Sequence, residues 1–393
     1  MHQNTQLVKF SMNQILKIVF TGGGSGGHIY PLLAVAEELK KISNEKGVGL
    51  DLHYVGVYAN DHDVYFQEGL IGVHPILAAK FRRYFSILNI IDVPIFFISI
   101  FQALFKLFWL MPDVVFSKGG PGAYPVVLAA WFYRIPILIH ESDAVPGLTN
   151  LLSRRFAKRI AVSFEIAARY FDPNKTAVTG NPVRKSLVQN IMPSNIAKEE
   201  LGFNPGEPLL LILGGSQGAR RINDFILANF DQLIKETQIL HQTGVANFID
   251  VKNLSRAALV DMPIQTELQH RYEPVSYFEQ NLAIALSAAD LVVARAGSGT
   301  IFELAAFRKP VILIPLSEAA GDHQRINAYE FAKLGGGVVI EESNLFPGIF
   351  INQIKEILGN LVKLQKMQEA SYKFYKPEAV SLIAEEIIRI GGY

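Results

Sequence analysis

Three stretches of the chain hold residue types whose spacing could support chemistry. Residues 20–31 read FTGGGSGGHIYP, a glycine-serine loop between the β-branched run Ile15–Phe20 and a helical pattern from Pro31 to Leu39, with His28 at its exit. A glycine loop joining strand to helix lets backbone N–H groups and the helix dipole meet an anion, usually phosphate. An imidazole at that place could move a proton near neutral pH. Residues 290–304 read DLVVARAGSGTIFEL, which predicts a strand ending at Ala294, a glycine turn and a helix starting near Thr300 with Glu303 in its first turn. Two readings of that stretch stand side by side. Thr300 and Glu303 have the T-x-x-E spacing of a capping box, or loop N–H groups hold phosphate while the Glu303 carboxylate accepts both hydroxyls of a ribose. The third stretch, GDHQRINA at 321–328, crowds polar side chains after a strand and a loop, as a sugar ligand needs, or as a helix start capped by Asp322 would.

The elements that must position these residues alternate. Apolar runs at Ile15–Phe20, Asp51–Val57, Asp113–Ser117, Ile135–Ile139 and Ile160–Ser163 are each followed by a helix or loop. After Thr179-Gly180-Asn181-Pro182 the pattern restarts with Leu209–Leu213, a second glycine loop at Gly214–Ala219, and runs at Ile239–Gln242, Leu291–Ala294, Val311–Ile314 and Val338–Ile340. Such alternation predicts an α/β protein with two Rossmann-like domains, each with a parallel sheet and ligands outside the carboxyl ends of the strands, facing a central cleft. Gly22, Gly24 and Gly27 satisfy G-x-G-x-x-G, but the second strand ends Tyr54-Val55-Gly56-Val57 without the acidic residue that a dinucleotide site requires.

Composition excludes other classes. With 393 residues the chain can fill two cores, and 37 basic against 36 acidic residues argue against nucleic acid as partner. It has no cysteine, hence no disulfide, thiolate zinc site or cysteine nucleophile. The start MHQNTQLVKFSMNQ lacks the order of a signal peptide, so a cytoplasmic enzyme is expected. Asp61-His62-Asp63 has the D-x-D form of some metal sites but stands without further oxygen ligands, and no metal or cofactor is expected.

Taken together, GGGSGGHIYPLLAVAEEL, IHESDAVPGLTN, TGNPVR, GGSQGARRIN, ARAGSGTIFELAA and the Asp322–Ala328 stretch give the chain a resemblance to the MurG family of UDP-N-acetylglucosamine transferases. That family converts lipid I to lipid II in peptidoglycan synthesis. The resemblance implies a GT-B fold: residues 1–183 with a returning helix at about 372–393 for the lipid-linked acceptor, and 184–371 for UDP-GlcNAc. It implies His28 as the base that activates the acceptor 4-hydroxyl, with inversion at the anomeric carbon. Ser25, Gly26 and Gly27 would line the diphosphate, Arg184 and Ser216 would contact the donor, and Ser298, Gly299, Thr300 and Glu303 would grip the nucleotide. Gln324 and Asn327 would meet the sugar, and Asp143 and Asn150 of IHESDAVPGLTN would bind substrate. The family reads H-E-Q-N where this chain has His140-Glu141-Ser142-Asp143, and Gly119–Pro125 also departs from its pattern. The alternatives on one scaffold are another lipid glycosyltransferase such as a diacylglycerol galactosyltransferase, a UDP-GlcNAc 2-epimerase, or a non-catalytic nucleotide-sugar binder.

One segment points to a membrane. Residues 84–111, YFSILNIIDVPIFFISIFQALFKLFWLM, are charged only at Asp92 and Lys106. The uncharged run from Val93 to Phe105 is too short to span a bilayer, which needs about 20 residues. Phe96, Phe97, Ile98, Ile100 and Phe101 cover every side of a helix, more than one sheet face can bury. With Lys80, Arg82 and Arg83 upstream, the expectation is docking on the cytoplasmic membrane face.

Overall fold

The computed structural model of the chain describes residues 15–23, 26–57, 66, 70–79, 88–215, 218–260, 268–278 and 281–393. Gly24, Ser25, the Asp61–Asp63 motif, Lys80, Arg82, Arg83 and Ser216 lie outside them. The strands are β1 (Ile15–Thr21), β2 (Gly49–Gly56), β3 (Gly72–Pro75), β4 (Val114–Ser117), β5 (Ile137–Glu141), β6 (Arg159–Val162) and β7 (Thr176–Val178). They are followed by β8 (Leu209–Leu213), β9 (Gln238–Gln242), β10 (Tyr272–Val275), β11 (Leu291–Ala294), β12 (Val311–Leu313) and β13 (Gly337–Val339). The helices that matter for function are α1 (Gly26–Lys46), α2 (Leu88–Leu110), α3 (Ala123–Phe132), α4 (Arg220–Ala228), α5 (Ser298–Ala306), α6 (His323–Ala332) and α7 (Ala379–Ile390).

The strands form a seven-stranded sheet in the order β3-β2-β1-β4-β5-β6-β7 and a six-stranded sheet in the order β10-β9-β8-β11-β12-β13. Pairing is parallel from β3 through β5 and throughout the second sheet. Central strands such as VVFS, LLLIL and LVVA are buried at every position, as expected where helices cover both faces. The first strand of each sheet lies where the order reverses, and each glycine loop follows that strand. This is the switch point at which such sheets bind ligands.

By contact the chain divides into two compact units. One holds residues 1–140, 148–160 and 380–393, and the other 141–147 and 161–379. Within the first, α7 joins the far end of the chain to its start: Glu386 pairs with Arg159 at 2.9 Å and the Tyr393 hydroxyl donates to the Ile15 carbonyl at 3.1 Å.

Two helix starts differ from the sequence reading. α1 begins at Gly26, so Pro31 lies in its interior rather than its first turn. Pro31 has no N–H, so the one helical bond lost is that to the Gly27 carbonyl. α5 begins at Ser298 with Gly297 as N-cap and no side-chain cap bond. The capping-box reading of Thr300 and Glu303 is therefore overturned, because Thr300 lies inside the helix and Glu303 in its second turn.

A buried polar cluster secures the second sheet. His241 on β9 has no exposed surface, and its Nδ1 and Nε2 lie 2.9 Å from the Tyr272 hydroxyl and 3.0 Å from Asn223 Oδ1. Asn223 Nδ2 donates to the Thr243 carbonyl, which fixes the amide, so Nε2–H donates to Asn223 and Nδ1 accepts from Tyr272. Burial lowers the His241 pKa to about 3, and the folded imidazole stays neutral. The unfolded chain takes up this proton below its ordinary pKa of 6.5, so the contribution is complete above that value and declines as pH falls toward 3. The expected slope is about 1.4 kcal/mol per pH unit. Hydrogen exchange of the β9 amides at pH 7 and pH 5 checks this. His241→Phe should flatten the slope, and an equal slope in wild type and variant refutes it.

Candidate active site

In the first unit, loop geometry encloses His28. Gly26, Gly27 and His28 are the opening residues of α1, at the end where the helix dipole is positive. The half-buried imidazole lies against glycines of two loops. A Cβ on Gly23 would come within 3.0 Å of Nδ1, and one on Gly120 within 3.0 Å of Nε2 and 2.9 Å of the Gly23 nitrogen. Gly120 also has φ +85, so glycine is required there by conformation and by space.

The floor beneath this loop is polar and buried. Lys118 Nζ lies 2.6 Å from His140 Nδ1, and the two side chains are 3% and 0% exposed. Asn150 donates to the His140 carbonyl at 3.2 Å, and a Cβ on Gly119 would strike its amide at 2.7 Å. Asn150 thus braces the Gly119 loop.

In the second unit, two groups of expected residues come together at the carboxyl ends of the strands. Ser298, Gly299 and Thr300 form the first turn of α5 and offer its unbonded N–H groups. Behind them Glu303 Oε1 lies 3.9 Å from Arg184 Nη2. Burial raises the Glu303 pKa, and the nearby guanidinium opposes that rise.

The other group centres on Asn327, which is fully buried. Its Oδ1 accepts from the Ala144 N–H at 2.8 Å, and its Nδ2 donates to Asp143 Oδ1 at 2.9 Å and to the Ala296 carbonyl at 3.2 Å. Asn327 therefore ties the Asp143 segment to the turn before α5. A carboxylate at 143 suits that role because it only accepts. Gln324, on the same helix α6, accepts from the Leu316 N–H at 3.0 Å, which leaves its NH2 to donate.

Glu141 shapes the same segment and was missed in the sequence. Its Oε1 accepts from the Asp143 N–H at 2.9 Å and its Oε2 from the Gly147 N–H at 3.0 Å. The signal was present in His140-Glu141, and similarly in Lys118, as charged groups set beside buried apolar strands. Among the described residues no cluster of three or more His, Cys, Asp or Glu is placed to hold a metal.

The glycine loop after β8 is equally constrained. A Cβ on Gly214 would meet the Gln242 carbonyl at 2.9 Å, and Gly218 has φ +76 with the Thr243 carbonyl 2.7 Å from its Cβ position.

Sequence comparison matches residues 18–162 to the Glycosyltransferase family 28 N-terminal domain and residues 209–386 to the Glycosyltransferase family 28 C-terminal domain. A Bacillus cereus protein named UDP-N-acetylglucosamine–N-acetylmuramyl-(pentapeptide) pyrophosphoryl-undecaprenol N-acetylglucosamine transferase 2 is 35% identical over 373 residues, covering 94% of this chain and 99% of the relative. The crystal structure of Acinetobacter baumannii MurG superposes with TM-score 0.70 at 26% identity, covering 95% of this chain and 99% of that one. UDP-GlcNAc 2-epimerase from Neisseria meningitidis reaches TM-score 0.65 at 15% identity, over 95% of this chain and all of the other, which shows a shared fold and no more.

Proposed function

Since the chain belongs to the UDP-N-acetylglucosamine–N-acetylmuramyl-(pentapeptide) pyrophosphoryl-undecaprenol N-acetylglucosamine transferase family, with a GT-B fold, we propose that it transfers N-acetylglucosamine from UDP-GlcNAc to lipid I, giving lipid II. The observation that carries this reading is the pairing of Arg184 with a half-buried Glu303 next to the open first turn of α5. Such a site offers N–H groups and a guanidinium to a diphosphate and a carboxylate to a ribose diol.

In this reading the second unit holds the donor through Arg184, Ser298, Gly299, Thr300 and Glu303, with Gln324 donating to the sugar and Asn327 setting Asp143 in place. His28 takes the proton from the acceptor 4-hydroxyl. The oxygen then attacks the anomeric carbon, the bond from that carbon to the diphosphate breaks, and UDP leaves with inversion. Charge growing on the diphosphate meets helix N-termini, loop N–H groups and Arg184. A transfer assay with UDP-GlcNAc and a lipid I analogue tests the proposal. Inverted transfer to lipid I supports it, whereas transfer only to diacylglycerol, or conversion of UDP-GlcNAc to its 2-epimer, refutes it.

The acceptor's lipid suggests where the first unit works, the cytoplasmic face of the membrane. α2 over Asp92–Leu110 is long and apolar enough to cross a bilayer by length and composition. One of its faces packs against the protein and the other is left open. Ser99, Ala103 and Leu107 are buried, and Phe96 stacks on Tyr124 of α3 at 6.0 Å. Val93, Phe97, Phe101, Phe105 and Trp109, at helical spacing, are each more than half exposed, as are Trp131 and Phe132 at the end of α3. A contiguous apolar face of this size marks an interaction surface. Phe97→Ser with Phe101→Ser should weaken binding to anionic liposomes by roughly tenfold or more per residue, with UDP-GlcNAc affinity unchanged. Undiminished liposome binding by the folded double variant refutes the docking role.

A further inference from the structure

The second glycine loop and the loop that sets Gln324 are joined by an ion-pair cluster centred on Arg221. This residue stands in the first turn of α4, immediately after Gly214–Ala219. Its Nη2 donates to Glu318 Oε1 at 2.6 Å, and its Nη1 donates to Glu318 Oε2 at 3.1 Å, Ser317 Oγ at 3.2 Å and Glu342 Oε2 at 2.6 Å. Glu342 is gripped from its other side by Arg295 Nη2 at 2.5 Å, and Arg295 donates to the Ile314 carbonyl at 3.1 Å. The cluster thus ties together the chain where it leaves β8, β11, β12 and β13.

Ser317 and Glu318 follow Leu316, whose N–H holds the Gln324 side-chain oxygen. They are exposed and border an open cavity of about 640 Å³ lined also by Asp322, Arg325 and Glu341. Ion pairs rather than apolar packing therefore hold this loop at its outer edge. Burial alone would push the Glu342 carboxyl up, yet hydrogen bonds from Ser317, Arg295 and Arg221 outweigh it and hold the group below its usual range.

We propose that Arg221 is a positioning residue for the donor site, a latch that fixes the 315–318 loop to the glycine-loop helix and so keeps Gln324 aimed at the sugar. The inference rests on the donor-site reading above. Exposed pairs add little to stability, but a guanidinium forked on one carboxylate and bonded to a second constrains geometry.

The test uses the full chain with Arg221→Met and Arg221→Lys. Without ligand, amide exchange over 315–324 should quicken in Arg221→Met, while thermal stability is little changed. The KM for UDP-GlcNAc should rise roughly three- to tenfold with kcat within about twofold of wild type. Arg221→Lys should fall between, since an ammonium cannot make the fork. High salt should raise the wild-type KM by a larger factor than that of Arg221→Met. Wild-type exchange and KM in Arg221→Met overturn the latch. If wild type neither binds UDP nor transfers sugar, the donor-site reading fails instead, and the exchange measurement still decides whether Arg221 holds the loop.

Discussion

His28→Ala should lower kcat by roughly a hundredfold or more, the usual worth of a general base, while the KM for UDP-GlcNAc changes far less. The structure gives a reason for expecting a clean split. The imidazole lies against Gly23 and Gly120 in the first unit, whereas the residues proposed to hold the nucleotide are in the second. Gly120→Ala should mimic the loss without touching the ring chemically. Its φ of +85 disfavours any side chain, and the added methyl would press on His28 Nε2 at 3.0 Å. Single-turnover rates across pH 6–9, with UDP binding measured separately by calorimetry, check both variants. Near-normal turnover in a folded His28→Ala enzyme would remove the base from this residue, and Asp143 would then be the carboxylate to test.

How far these residues could be read without coordinates depends on what each one touches. The central strands were legible because burial on both faces makes them continuous apolar runs. β3, β7 and β10 were not: all three lie at sheet edges, and GVHP, TAV and YEPV are short, with proline in the first and last. Edge strands tolerate proline and polar residues because one side needs no partner. The glycine loops were legible because a strand-to-helix turn restricts residue type locally. The roles of Asn327, Glu141 and Lys118 were hidden because their partners lie far along the chain. Asn327, for instance, meets Asp143 and Ala144 across more than 180 positions. Asp143, in the place of a family asparagine, becomes intelligible only through that amide donor.

Glu303→Ala should raise the KM for UDP-GlcNAc by roughly ten- to a hundredfold, since hydrogen bonds to a charged group are worth about 1.5–3 kcal/mol each. The fold should survive, because the helix containing Glu303 starts at Ser298 and draws no side-chain cap from it. The carboxylate is not an ordinary surface acid. Burial raises its pKa, and Arg184 at 3.9 Å opposes that rise without cancelling it. A ribose diol can donate two hydrogen bonds only to the ionised form, so donor binding should be complete at neutral pH and weaken as pH falls through this raised value. Glu303→Gln separates charge from shape. It retains one carbonyl acceptor, should bind the donor better than Glu303→Ala, and should lose the acid limb of the KM profile. Arg184→Lys should keep charge near the site but lose the planar fork, raising KM with less effect on its pH dependence. Donor KM and pH profile unchanged in a folded Glu303→Ala would leave the carboxylate as a companion of Arg184 and nothing more.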